Sequence, residues 1–241
     1  MNQRQPIFNV PAIVVGVIAL FAAIHIIRQF LTVAMDNDLL LALAFIPARY
    51  SGYLDSFPGG AVTGVTSFVT HMMVHGDVTH LMFNSAWFLA FGGAIALRTG
   101  GWRFLAFTVV TGVAGAAVFL VFNFGQLVPM VGASGAVSGM MAAVLRFMFP
   151  AIDTGRFAAL REAPRTIPRL SLYETLTDVR IIAITAVWLL INLLSVLGLF
   201  GPTGSGGIAW EAHVGGFVAG LMLFGLFDPW RRPPPKPYLV Q

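Results

Sequence analysis

Val131-Gly132-Ala133-Ser134-Gly135-Ala136-Val137-Ser138-Gly139-Met140-Met141-Ala142-Ala143-Val144-Leu145 runs for fifteen residues without a charge before it meets Arg146. Continued to about Phe149, the stretch approaches the roughly 20 apolar residues that a membrane-spanning helix needs. Backbone amides inside lipid must find partners within the chain, so such a segment is a helix or a strand of a closed barrel. A barrel strand would alternate polar and apolar residues over about 10 positions. This stretch does not, and it reads as a transmembrane helix. Ser134 stands out within it, because polar groups at membrane depth are costly and usually functional. Gly132 and Gly135 on either side permit a tight turn and close backbone approach.

The rest of the chain has the same character. Of 241 residues, 57% are hydrophobic and 10% charged, against about 25% charged in soluble domains. A chain this apolar cannot bury its surface in one soluble core, so an integral membrane protein is expected. There is no cysteine, which excludes disulfides, thiol nucleophiles and Cys-zinc sites. The net charge is +4, and no basic face with interleaved aromatics points to a nucleic-acid partner. The first apolar stretch is too long for the 7–15-residue core of a signal peptide, and it reads as a retained span.

Six stretches are long enough to span: about Pro11–Val33, Ser67–Leu97, Phe104–Phe124, Val131–Phe149, Ile181–Phe200 and Ile208–Phe227. The expected fold is therefore all-α, a six-transmembrane-helix bundle. Residues 1–10 form its N-terminus, 11–228 the membrane domain, and 229–241 a basic, Pro-rich tail. The long connection Met35–Thr66 contains Leu39-Leu40-Leu41-Ala42-Leu43-Ala44-Phe45, too short to span and read as an interfacial or re-entrant helix. No internal repeat is evident, which weighs against transporters built from repeated halves. Basic residues fall on alternate connections. Arg4, Arg98, Arg103, the Pro150–Asp178 connection with its four arginines, Arg180, Arg231, Arg232 and Lys236 share one side. The other side has Arg28 and Arg49 among Asp36, Asp38, Asp55 and Asp77. This bias predicts cytoplasmic termini. His25 and Arg28 are expected to reach the outer headgroups by snorkelling. The arginines of the Pro150–Asp178 connection are expected to mark the anionic inner leaflet.

Depth brings the polar residues together. At about 1.5 Å per residue, Ser134 lies roughly 18 Å above Arg146, His213 roughly 22 Å above Asp228, and Asn84 roughly 21 Å above Arg98, with His80 one turn higher. All four fall in the outer half of the bilayer, on three spans. A serine becomes a nucleophile when a base takes its proton, and His213 is the candidate base. The Ser134 amide opens a helix, where N–H groups lack intrahelical partners and the dipole favours an anion. Asn84 and His80 can add donors to such an oxyanion site. Glu211 is two residues from His213 and so on the opposite face, which makes a Ser-His dyad the simpler reading. Ser138 is one turn from Ser134 on the same face but lacks an early helix amide. His71 and His75 have the i, i+4 spacing of a chelating pair. No HExxH pattern accompanies them and carboxylates are sparse, so neither a metal nor a cofactor is expected, and His71 and His75 read as structural or water-lining.

Three motifs resemble the rhomboid family of intramembrane serine proteases: His75-Gly76-x-x-x-His80-x-x-x-Asn84, Gly132-Ala133-Ser134-Gly135-Ala136, and Ala212-His213-Val214-Gly215-Gly216-x-x-x-Gly220. Each alone is weak, but their order on spans two, four and six is specific, and the likeness covers about Pro11–Asp228. The resemblance implies a rhomboid-like bundle with a membrane-associated loop between helices one and two. It implies Ser134 as nucleophile and His213 as general base, with the Ser134 amide, His80 and Asn84 stabilising the oxyanion. Gly216 and Gly220 pack span six on span four, as small-xxx-small surfaces do. Span five corresponds to the mobile side by which a substrate helix enters. Substrates are single-pass or other transmembrane proteins in a bacterial inner membrane, cut near their outer ends. The oligomeric state is not fixed by these motifs. Thr66-Ser67 stand where some members have Trp-Arg, Ala96 where some have a Glu paired with the following Arg, and Ser138 where some have a ring packed on the histidine. A silent relative that binds membrane clients, or a small channel, are the other readings; a channel needs inner-half polar residues that spans three and five scarcely offer.

Overall fold

The computed structural model describes residues 10–199 and 208–230. Most of the N-terminal segment, the end of span five at Phe200 and the tail from Arg231 lie outside the described residues. Eight helices matter here. They are α1 (Ala12–Arg28), α2 (Val33–Leu43), α3 (Gly60–Thr70), α4 (Val78–Thr99), α5 (Gly101–Phe122), α6 (Ser134–Asp153), α7 (Val179–Val196) and α8 (Trp210–Phe227). The last five are each long and apolar enough to cross a membrane. The 17-residue α1 is apolar but shorter, about 25 Å at the helical rise. The fold is thus an all-α membrane bundle, with α2 and α3 inserted in the long connection after α1.

Two boundaries differ most from the sequence reading, while α6 also runs on through Pro150 to Asp153. Span two begins at Val78 rather than near Ser67, because the chain breaks after α3 through a tight turn at His71–Met73. The Asp77 side chain then accepts from the His80 amide and caps α4. The uncharged stretch before it belongs to the loop, which composition alone does not reveal. The first helix stops at Arg28, not Val33, and Thr32 caps a new helix there.

The expectation that His25 and Arg28 reach headgroups is corrected. Both are buried, and Arg28 binds Asp36 of α2 at 2.7 Å and the His75 carbonyl at 2.7 Å. Its guanidinium makes charge-assisted hydrogen bonds within the protein in place of contacts with headgroups. The Arg28 guanidinium in turn holds the Asp36 carboxyl below its ordinary range. The inner-leaflet arginines are also corrected in part. Arg165 donates to the Arg98 carbonyl and Arg169 pairs with Asp228.

Helix α6 is the axis of the bundle: 89% of its apolar window is buried, against 11% for α7. Small residues make this possible. A Cβ on Gly216 or Gly220 of α8 would collide with the carbonyl of Gly135 or Gly139 on α6. On the other flank of α8, a Cβ on Gly115 of α5 would lie 2.7 Å from the Ala212 carbonyl. Backbones that approach this closely gain dispersion contacts along their length. Helix α7 instead touches the bundle at few points, with Ile181 and Asn192 as its buried residues and Trp188 stacked on Phe217 at 4.8 Å. Its start is pinned by Arg180, which pairs with Asp153 and Asp178.

The long loop is a packed unit. Phe45 and Met130 exchange two backbone hydrogen bonds, 3.0 and 2.8 Å, joining the loop to the segment that leads into α6. Around Phe45 gather Tyr50, Phe68, His71 and Phe119. The buried Arg49 donates to Thr63 Oγ1 at 2.7 Å and to the Leu41 carbonyl.

Candidate active site

The approach to α6 is shaped by Gly132. Its φ of +106° is open to glycine and strained for other residues, and a Cβ there would lie 2.6 Å from His80 Nε2. Its N–H donates to the His71 carbonyl at 2.8 Å. The chain can therefore turn sharply beneath the His80 ring and enter the helix at Ser134. No side chain caps the start of α6 among the described residues, so the first amides, that of Ser134 included, face outward without intrahelical partners.

Helix α8 brings His213 to this point. Its Nε2 lies 2.8 Å from Ser134 Oγ, a hydrogen bond between residues on different helices. Both side chains are half-buried. The other ring nitrogen is also engaged: Nδ1 lies 2.6 Å from Asn192 Oδ1 on α7. Sequence reasoning did not single out Asn192. The available signal was an amide in the apolar run Leu189-Leu190-Ile191-Asn192-Leu193-Leu194, a polar side chain at membrane depth.

The other named residues fall as follows. His80 packs over Gly132 and therefore beside the Ser134 turn. Asn84 is buried, and its Nδ2 donates to the His80 carbonyl of its own helix at 3.0 Å, leaving Oδ1 without a hydrogen bond. It makes no hydrogen bond to Ser134 among the described residues, and its second amide hydrogen is free of that bond. Ser138 is turned away from chemistry, donating to the Ser134 carbonyl at 2.8 Å. Gly135 meets the Ala212 carbonyl, and Gly216 and Gly220 form the α6–α8 seam. His71 and His75 lie in the loop, where burial pushes their rings down to about 4 and about 3. His75 sits between Phe21 and His80, 5.2 Å from each ring centre. Among the described residues no three His, Asp or Glu side chains converge as a metal-ligand set. Glu211, excluded as a third member on helical geometry, accepts from Asn123 at 3.1 Å.

A hydroxyl hydrogen-bonded to an imidazole, beside unpaired helix-start amides, can carry out acyl transfer. Fold and site together define a class: a helical integral membrane protein with a Ser-His pair between two of its spans. The family model described as Rhomboid domain matches residues 62–228, and the chain belongs to the rhomboid family. It is similar to "Rhomboid protease GlpG" of Yersinia pestis (strain Pestoides F) and of Yersinia pseudotuberculosis serotype O:3 (strain YPIII). Each is 29% identical over 159 residues, covering 65% of this chain and 46% of the relative. The protein of the same name from Yersinia enterocolitica serotype O:8 is 27% identical over 211 residues, covering 86% of this chain and 60% of the relative. The chain thus spans about half the length of these curated relatives.

Proposed function

We propose that this chain is an intramembrane serine endopeptidase that hydrolyses peptide bonds in or near transmembrane segments of other membrane proteins. The observation that carries the reading is the 2.8 Å hydrogen bond between His213 Nε2 and Ser134 Oγ, made between α8 and α6. His213 takes the hydroxyl proton as Ser134 attacks the scissile carbonyl. The oxyanion forms against the Ser134 amide, with His80 above the turn and the second Nδ2–H of Asn84 as a further donor. The imidazolium then protonates the leaving amine, and a water activated by His213 releases the acyl group. The names of the relatives support the same reaction class. The basic-residue bias supports cytoplasmic termini and a site open to the outer, periplasmic side of a bacterial inner membrane.

The test is cleavage of labelled transmembrane peptides by the purified protein. Ser134→Ala and His213→Ala are each expected to abolish cleavage and fluorophosphonate labelling while melting like the parent. Cleavage at the parent rate in both variants overturns the reading.

A further inference from the structure

The amide of Asn192 is oriented without ambiguity. Its Nδ2 donates to the Trp188 carbonyl at 2.8 Å, a group that can only accept. Oδ1 is therefore the atom that faces His213, 2.6 Å from Nδ1. An amide oxygen also only accepts, so Nδ1 must carry the proton. Nε2 is then left with its lone pair toward Ser134 Oγ, the form a general base requires. One carbonyl on α7 thus fixes, through two hydrogen bonds, which nitrogen of His213 is basic.

We infer that Asn192 is the positioning residue of this site: from α7 it holds His213 in the Nδ1–H tautomer and aims Nε2 at Ser134. The inference rests on the serine-protease reading above and adds to it a third member on span five. Position and burial agree with the role. Asn192 is one of only two buried residues of α7 among those described, although that helix is otherwise lightly packed. On α6, Ser138 is bonded to its own helix and gives His213 no support. The support missing on that flank is supplied from α7. An asparagine in this place carries no charge, so it selects tautomer and angle rather than stabilising the imidazolium as a carboxylate does. The base is aimed only while α7 lies against α8, where Trp188 stacks on Phe217.

The groups facing His213 are His80 from α4, Ser134 from α6 and Asn192 from α7, while Glu211 on α8 itself is engaged by Asn123 at the end of α5. The experiment measures the rate at which a fluorophosphonate labels Ser134 in the purified full chain, as a function of pH. This readout needs no substrate helix to pass α7. Asn192→Ala and Asn192→Leu are expected to label at least about tenfold more slowly at their pH optimum. Asn192→Asp keeps an acceptor for Nδ1–H. It is expected to label within about threefold of the parent, with the acid limb of its pH profile moved up by about one unit, since a carboxylate favours the imidazolium. Parent-like labelling by Asn192→Ala overturns the inference, as does an unmoved acid limb in Asn192→Asp; the latter decides alone if the apolar variants do not fold. A parent protein that neither labels nor cleaves overturns the protease reading itself. A reactive parent indifferent to Asn192 overturns only this inference.

Discussion

Ser134 and Ser138 are the same residue type one turn apart on one helix, and their surroundings separate them. Ser134 has an imidazole at 2.8 Å, whereas Ser138 gives its proton to the Ser134 carbonyl. Ser138→Ala is therefore expected to keep Ser134 labelling within about threefold. The lost bond should lower stability by about 1 kcal/mol, read as a small drop in melting temperature. A large loss of labelling would mean that the Ser138 hydroxyl takes part in the chemistry. Ser134, His213 and His80 were legible in the sequence because each is a reactive group interrupting or bordering an apolar run, and a helical rise puts them at one depth. Asn192 interrupts a run in the same way. Its partner is 21 positions away on another helix, and no pattern within one span encodes that meeting. Arg28 was misread for a related reason: its position fits a headgroup, and only the fold shows Asp36 and the His75 carbonyl within reach.

At the scale of elements, the α6–α8 seam depends on what is missing from its glycines. Gly216 and Gly220 were legible as packing positions from their four-residue spacing; Gly139 on the facing helix was not, because its role depends on a partner in another span. A Cβ on Gly139 would lie 2.7 Å from the Gly216 carbonyl. At Gly216 and Gly220 the nearest obstacles are backbone atoms of α6, which cannot swing aside as a side chain can. Gly220→Ala is expected to cost about 1–3 kcal/mol or more, seen as a lower melting temperature and less folded protein. Gly16→Ala in α1, where a Cβ meets nothing within 4 Å, serves as the control and should be neutral or gain up to about 1 kcal/mol. Equal melting of the two variants would refute the seam. The start of α4 illustrates the limit of hydropathy. An uncharged stretch reads the same in a loop as in a span, and the Asp77 cap that separates them is a backbone event.

Across the whole molecule, the most deeply buried ion pair among the described residues lies at the end remote from Ser134. Arg98 closes α4 and Asp228 follows α8; both side chains are fully buried, 2.9 Å apart. Arg98 also donates to the Pro164 and Ile167 carbonyls, lies 4.6 Å over the Phe147 ring, and shares Asp228 with Arg169. Ala96 stands where the family resemblance leads us to expect an acidic partner for Arg98, and Asp228, far along the chain, supplies one. Asp228→Asn strands a buried guanidinium and is expected to cost about 3–5 kcal/mol, measured by denaturation in detergent. The folded fraction should still label Ser134, since the pair lies roughly 22 Å from His213 along α8. An unchanged denaturation midpoint would show that the pair holds nothing together.

The loop after α1 bears on Ser134 in a further way. The turn that presents Ser134 hangs from the loop by the Gly132 amide on the His71 carbonyl, and just upstream Met130 is clasped to Phe45. Neither attachment comes from a spanning helix. The loop and the Ser134 turn are therefore coupled through these backbone bonds, so loosening one loosens the other. A slackened loop would displace Ser134 even with all the spans in place, so the geometry at this point belongs to the loop fold as much as to the helices around it.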